Sequence, residues 1–530
     1  MDAKTQKYDR QLRLWGSSGQ EALESAHILL INASAVGCEI LKNLILPGIG
    51  QFTIVDPGTV SQNDIGSNFF LDFDSLGKQR AERAYELLGE LNEDVKGNWA
   101  AKDIHSILKE DPGYLAQFST VIATDITRET AEKLAALCWV GGQDANNRNP
   151  AGKKNITFVW VKTVGLFGAA RIAVPEHTIV ETHPDNVADL RIDTPFPELS
   201  AFAQSFDFDT EDSLEFGHIP YVAILLNYMD KWKQTHNGKI PSTYAEKNEL
   251  KANIRAGMRS VDDENFDEAI SSVLRSCQPT TIPSEIKALV NDPKCEHLNA
   301  ESENFWILTR ALRDYVNDHT KSDGLLPLSG TIPDMKAQTD SYVTLQSIYK
   351  TKAKQDVQEV SKVVESLLSS LGLAAGSISQ QEIETFCKFS AFLKVIRYRS
   401  LEEEYHQPNT KQIDPDSVFP YYVLLRASDS FYDDHGRYPG EGENWEDDVD
   451  QLHANVGTLL QSWGIANDAV SKDLTHEICR YGNGAIHNIA SLIGGVVSQE
   501  IIKLSTRQYI PMNNTFLFDG ARSVSAVFAV

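Results

Sequence analysis

Six residues that follow the first apolar run, Asn32-Ala33-Ser34-Ala35-Val36-Gly37, stand where a strand-to-helix turn can hold the phosphates of a nucleotide. That chemistry needs glycines, because phosphate oxygens come close to the backbone and rest on the amides of a helix N-terminus. Of a G-x-G-x-x-G pattern only the last position survives, as Gly37, whose role is close packing of helix on strand. Cβ atoms at Asn32 and Ser34 stand in the phosphate path. Asp56 holds the position of a ribose-binding carboxylate, but with the glycines gone its expected use is a strand-end cap or a bond to a loop amide. The expectation is a retained fold around a degenerate loop.

Nucleophilic chemistry would need a thiol with a lowered pKa, exposed beside a positive group. Cys38, Cys138, Cys277, Cys295, Cys387 and Cys479 are scattered, with no CxxC pair, so neither a zinc ribbon nor a disulfide framework is indicated. Buried packing is the expected role of all six. His476 and His487 lack metal-ligand spacing, and no metal site is expected.

The elements that position the degenerate loop read as βαβ: a strand His27–Ile31, a helix over 36–46 and a strand over 52–55. Further strands are expected over 120–123, 158–164 and 170–174, with a helix over 130–139 between the first two. An α/β domain therefore spans 1–184, a mainly helical insert 185–478, and the chain returns to the α/β domain over 479–530. Inside the insert, residues 341–371 carry apolar positions at helical spacing, and Ser379-Gln380-Gln381-Glu382 has the form of a capping box. Residues 429–450, with RYPGEGENWEDD at their centre, are dense in acid and read as a solvated loop, or alternatively as a docking surface for a basic partner. The chain of 530 residues has a formal net charge of −25, which opposes nucleic acid and anionic membrane surfaces. No signal-like or membrane-spanning run is seen, and a cytoplasmic or nuclear location is expected.

The runs KYDRQLRLWG, SAHILLINASAVGCEILKNLILPGIGQFTIVD and LIGGVVSQEIIK occur in the order found in the ubiquitin-like modifier-activating enzymes, and the chain resembles the regulatory, non-catalytic half of that family. ETHPDN, PFPEL, FWILTRAL, GTIPDM, GRYPG and HEICRYG, with the long insert, resemble the branch that serves neddylation. The resemblance implies a Rossmann-like adenylation-type domain, here inactive, with an insert like a catalytic-cysteine domain without its cysteine. It further implies a heterodimer whose catalytic subunit binds ATP and magnesium, adenylates the ubiquitin-like modifier, captures it as a thioester and passes it to a conjugating enzyme. This chain would bind no cofactor itself and would support the partner's ATP site and modifier binding. By motif, Arg10 of YDRQ is the residue that reaches the partner's ATP in trans. Read without the resemblance, Arg10 and Arg13 lie on an amphipathic helix with Leu12, Leu14 and Trp15 inward.

Counted from Asp56 without gaps, Ser67 and Asn68 replace the family's ATP-binding arginine and glutamine, and Arg80 replaces a phosphate-binding lysine. Gly58 replaces an acidic residue, and a magnesium aspartate near Asp125 is not assignable. Arg80 is expected at the surface. Three alternatives remain: a non-enzymatic scaffold on a degenerate dinucleotide-binding fold; an oxidoreductase, which would require the absent G-x-G-x-x-G; and a self-sufficient adenylating homodimer, disfavoured by Ser67, Asn68 and Arg80.

Overall fold

A computed structural model of the chain describes residues 3–140, 155–183, 188–410, 417–442, 445–466 and 469–530. Its centre is an eight-stranded sheet of β1 (His27–Ile31), β2 (Gln51–Val55), β3 (Lys96–Ala100), β4 (Thr120–Thr124), β5 (Thr157–Val164), β6 (Phe167–Ala173), β7 (Thr515–Asp519) and β8 (Val524–Phe528). The spatial order is β8-β7-β6-β5-β4-β1-β2-β3. From β3 to β5 the pairing is parallel, with Leu30 in register with both Ile54 and Ile122. From β5 to β8 it is antiparallel.

Near-continuous apolar strands such as HILLI suit a parallel sheet covered on both faces. Ile28, Leu30, Phe52 and Ile54 face the helices Ala35–Ile45 and His487–Thr506, while Leu29, Ile31, Val121 and Phe158 face Ile104–Glu110 and Arg128–Trp139. Successive strand residues thus serve opposite cores.

Two compact units result, one of residues 1–179 with 395–530 and one of 180–394. The expected insert ran on to 478, whereas in the structure the described residues of 395–478 belong to the same unit as the sheet. The helix Phe419–His435 lays Tyr421 on Phe167 at 4.6 Å and Phe419 against Phe528 at 5.3 Å. Its apolar sequence, FPYYVLL, signals burial in a helix but not which core receives it. The other expected boundary, at 184–185, lies outside the described residues. The second unit gathers Pro197–Gln204, Tyr221–Thr235, Glu264–Ser276 and the long helix Thr339–Ser370 around Phe202, Leu225, Trp232, Phe266 and Tyr349.

Two local expectations are revised. Ser379 accepts a hydrogen bond from Glu382 N at 3.2 Å, but the Glu382 carboxylate accepts from Asn304 Nδ2 instead of closing a capping box. The acidic stretch is not a solvated loop throughout: most of it belongs to the helices Phe419–His435 and Trp445–Ser462. Asp448 is buried, accepting both Nη groups of Arg437 at 2.6 and 2.8 Å and Gly440 N at 2.8 Å. Residues 443–444 of the stretch lie outside the described ones. Among the described residues no helix is long and apolar enough to cross a membrane.

Candidate functional site

The degenerate loop sits at the C-terminal ends of β1, β2 and β4, the edge where open α/β sheets bind ligands. Its polar groups bond to the chain itself. Asn32 has φ 64°, a left-handed conformation that asparagine tolerates, and its Nδ2 donates to the carbonyls of Thr124 and Asp125 at 2.9 and 3.0 Å. Ser34 caps the helix Ala35–Ile45: its Oγ accepts from Gly37 N at 3.2 Å and donates to Thr124 Oγ1 at 2.7 Å. The helix N-terminus that would face a phosphate is therefore met by a hydroxyl. Gly37 lies so near β1 that a Cβ there would stand 2.8 Å from Leu30 Cδ1.

Asp56 is fully buried, and each of its oxygens accepts two bonds. Oδ2 takes Ala33 N at 2.8 Å and Arg80 Nε at 2.6 Å; Oδ1 takes Gly58 N at 2.7 Å and Arg80 Nη2 at 3.1 Å. Arg80 is not the surface residue the sequence suggested. Its Nη1 also donates to Asp64 Oδ1 at 3.0 Å. Burial works against the guanidinium charge, but the hydrogen bonds and charge of Asp56, followed by Asp64, hold its pKa above the ordinary value. A Cβ on Gly58 would lie 2.9 Å from Arg80 Nη2 and 3.0 Å from Asp56 Oδ1. The departures at 58 and 80 are thus one device, in which loss of a side chain admits the arginine. Asn68 joins the closure through Nδ2, which donates to Ala33 O at 3.3 Å, while Ser67 only returns its hydroxyl to Asn63 O at 2.9 Å.

Lys162, on β5, went unremarked in the sequence. Its buried ammonium donates to Asn483 Oδ1 at 2.5 Å, lies 3.9 Å from the Tyr438 ring centroid and is 3.9 Å from exposed Asp125. Burial lowers its pKa, against the pull of Asp125, Asp429 and Glu441. The only signal available was a lone lysine in the apolar run TFVWVKTV. No group of acids, histidines or cysteines among the described residues could hold a metal ion.

All six cysteines are buried. Burial raises every thiol, Cys277 and Cys295 to about 11 and Cys38, Cys387 and Cys479 to about 12, with Cys138 also raised. His476 packs edge-on to Trp445 at 5.0 Å, and His487 lies 5.7 Å from Phe69.

The N-terminal segment is anchored by Tyr8, which is buried and whose hydroxyl donates to Asp94 Oδ2 at 3.0 Å and accepts from Asn92 Nδ2 at 3.1 Å. Lys7 Nζ adds bonds of 2.6 Å to Asn92 and Asp94. These anchors come immediately before Arg10, and the YDRQ motif contained the first of them. Helical residues follow from Asp9, and the run breaks at Gly16, where φ is 68°. Trp15 is buried and Leu12 half-buried, but Leu14 is 51% exposed instead of packing inward. Arg10, Arg13 and Leu14 share one exposed face, at helical spacing. Arg13 pairs with Asp9 at 3.0 Å, whereas among the described residues the Arg10 side chain has no ion pair or hydrogen bond.

Comparison with known proteins adds the lineage. Residues 8–525 match the model of the ThiF family. The NEDD8-activating enzyme E1 regulatory subunit of Danio rerio is 43% identical over 541 residues, covering 99% of this chain and 98% of its own. The NEDD8-activating enzyme E1 regulatory subunit AXR1 of Arabidopsis thaliana is 37% identical, over 97% of this chain and 94% of its own. A crystal structure of E. coli MccB with AMPCPP and SeMet MccA aligns with 33% of this chain and 51% of that one at 16% identity, TM-score 0.28. The chain belongs to the ThiF family and, within it, to the NEDD8-activating enzyme E1 regulatory subunits.

Proposed function

We propose that this chain is the non-catalytic half of a heterodimer in which a catalytic subunit alone binds ATP and magnesium, adenylates NEDD8, holds it as a thioester and delivers it to a conjugating enzyme. The observation that carries the reading is the Asp56 carboxylate, both of whose oxygens are occupied by Ala33, Gly58 and Arg80 where a nucleotide-binding sheet would present a ribose ligand. A second observation fits it: Arg10 is exposed, unpaired and held on a segment fixed by Tyr8. A guanidinium delivered from a neighbouring subunit stabilises negative charge that develops on transferring phosphates. In this role Arg10 acts in the partner's active site, and the chain's own cysteines, all buried, take no part in thioester chemistry.

The test is Arg10→Ala in the assembled heterodimer, read by ATP–pyrophosphate exchange. Tyr8 and Trp15 still pack, so assembly is expected to persist while exchange falls about ten- to a thousandfold, the range for removing one such donor. Unchanged exchange in a correctly assembled complex would replace this reading with that of a scaffold without part in the chemistry.

A further inference from the structure

The second unit contains a half-open cavity of about 430 Å³, within the range of about 300–1,000 Å³ in which proteins bind ligands. Its floor is the segment 188–193, and the acids there are already engaged. Asp189 accepts Arg191 Nε at 2.6 Å, and Asp193 accepts Thr280 N and Oγ1 at 2.6 and 2.7 Å. The floor is fixed from other sides as well: Arg191 Nη2 donates to Leu326 O at 2.6 Å, and Tyr349 OH donates to Leu190 O at 2.6 Å. Leu325, Pro327 and Phe392 supply apolar wall.

Two cations line the same cavity. Arg275, in the last turn of the helix Glu264–Ser276, and Lys388, in the last turn of Gln380–Lys388, are exposed, and among the described residues neither side chain has a hydrogen bond or ion pair. A cation in a last turn is favourable for its helix alone. That does not account for two helices from different parts of the sequence bringing cations to one cavity, where Arg275, Lys388 (its Nζ 5.1 Å from the Phe389 ring centroid) and Arg191 outnumber the acids Asp189 and Asp193, in a chain of net charge −25.

We propose that this cavity is a docking site for an acidic extended peptide, with carboxylates on Arg275 and Lys388 and an apolar side chain against Leu325, Pro327 and Phe392. The proposal is independent of the adenylation role. Charge complementarity selects the occupant, since cations at a cavity rim favour anionic partners and disfavour cationic ones.

The experiment uses the full chain and a fluorescein-labelled peptide of alternating Glu and Leu, followed by anisotropy, with a Lys/Leu peptide as its counterpart. The acidic peptide is expected to bind, to weaken as salt is raised, and to lose at least about tenfold in affinity in the Arg275→Glu/Lys388→Glu variant, which should now favour the Lys/Leu peptide. If the reversal fails to fold by circular dichroism, the milder Arg275→Gln/Lys388→Gln pair carries the same test with a smaller loss. No binding by the parent chain, affinity unchanged in the variants, or equal binding of both peptides would overturn the proposal.

Discussion

Arg80 and Asp56 make the strongest residue-scale statement, because a fully buried carboxylate is stable only while its charge is met. Arg80→Ala leaves that charge to two backbone amides, and a loss of about 2–4 kcal/mol in urea unfolding is expected, somewhat below the usual effect of breaking a fully buried pair because Arg80 retains some exposure. The same variant should not gain ATP affinity in calorimetry, since Asn32 and Ser34 still fill the loop; a micromolar isotherm would contradict the account of the loop. Asp429 offers a pH test. Burial pushes its pKa up to about 6 from an ordinary 3.8, with Arg426, Lys162 and Arg128 pulling the other way. Between those values the folded chain holds a proton the unfolded chain has released, so this group makes stability fall as pH rises through that window and adds no further slope above it. Asp429→Asn should remove that component from a comparison of urea midpoints at about pH 4 and pH 6.5. A slope identical to the parent's would refute the assignment.

At the scale of elements, Ser34 closes the helix that a phosphate would otherwise face, and Ser34→Ala is expected to cost about 0.5–2 kcal/mol in thermal or urea unfolding, as for other N-caps. If the mutant were as stable as the parent, the cap would not be the loop's main tie. The βαβ unit, its crossover helix and the position of Asp56 were legible in the sequence because apolar periodicity and the end of a strand are local signals. The engagement of Arg80 was not, since its partners lie 16 and 24 positions away and a side chain gives no sign of its bonding. Leu14 misled for a related reason: helical spacing indicates which residues share a face but not where the helix breaks, and Gly16 ends the run one residue after Trp15. The end of the insert was missed similarly. The helices over 419–481 have the same apolar periodicity whether they pack on one another or on β6 and β8, and only the long-range contacts of Phe167 and Phe528 decide it.

For the whole molecule, the tied-off loop has a consequence in mass action. A protein that binds a ligand only when folded gains stability with that ligand's concentration, about 2.7 kcal/mol at a hundredfold excess over Kd. On the proposed reading a loop bonded to its own arginine has no occupancy to vary, so millimolar ATP with magnesium should leave the melting temperature of the isolated chain unmoved, and a rise of several degrees would show a working site. In a pair whose other half fills and empties at each turnover, this half's loop would draw no stability from the nucleotide supply, a fixed reference against which its partner's cycle can run.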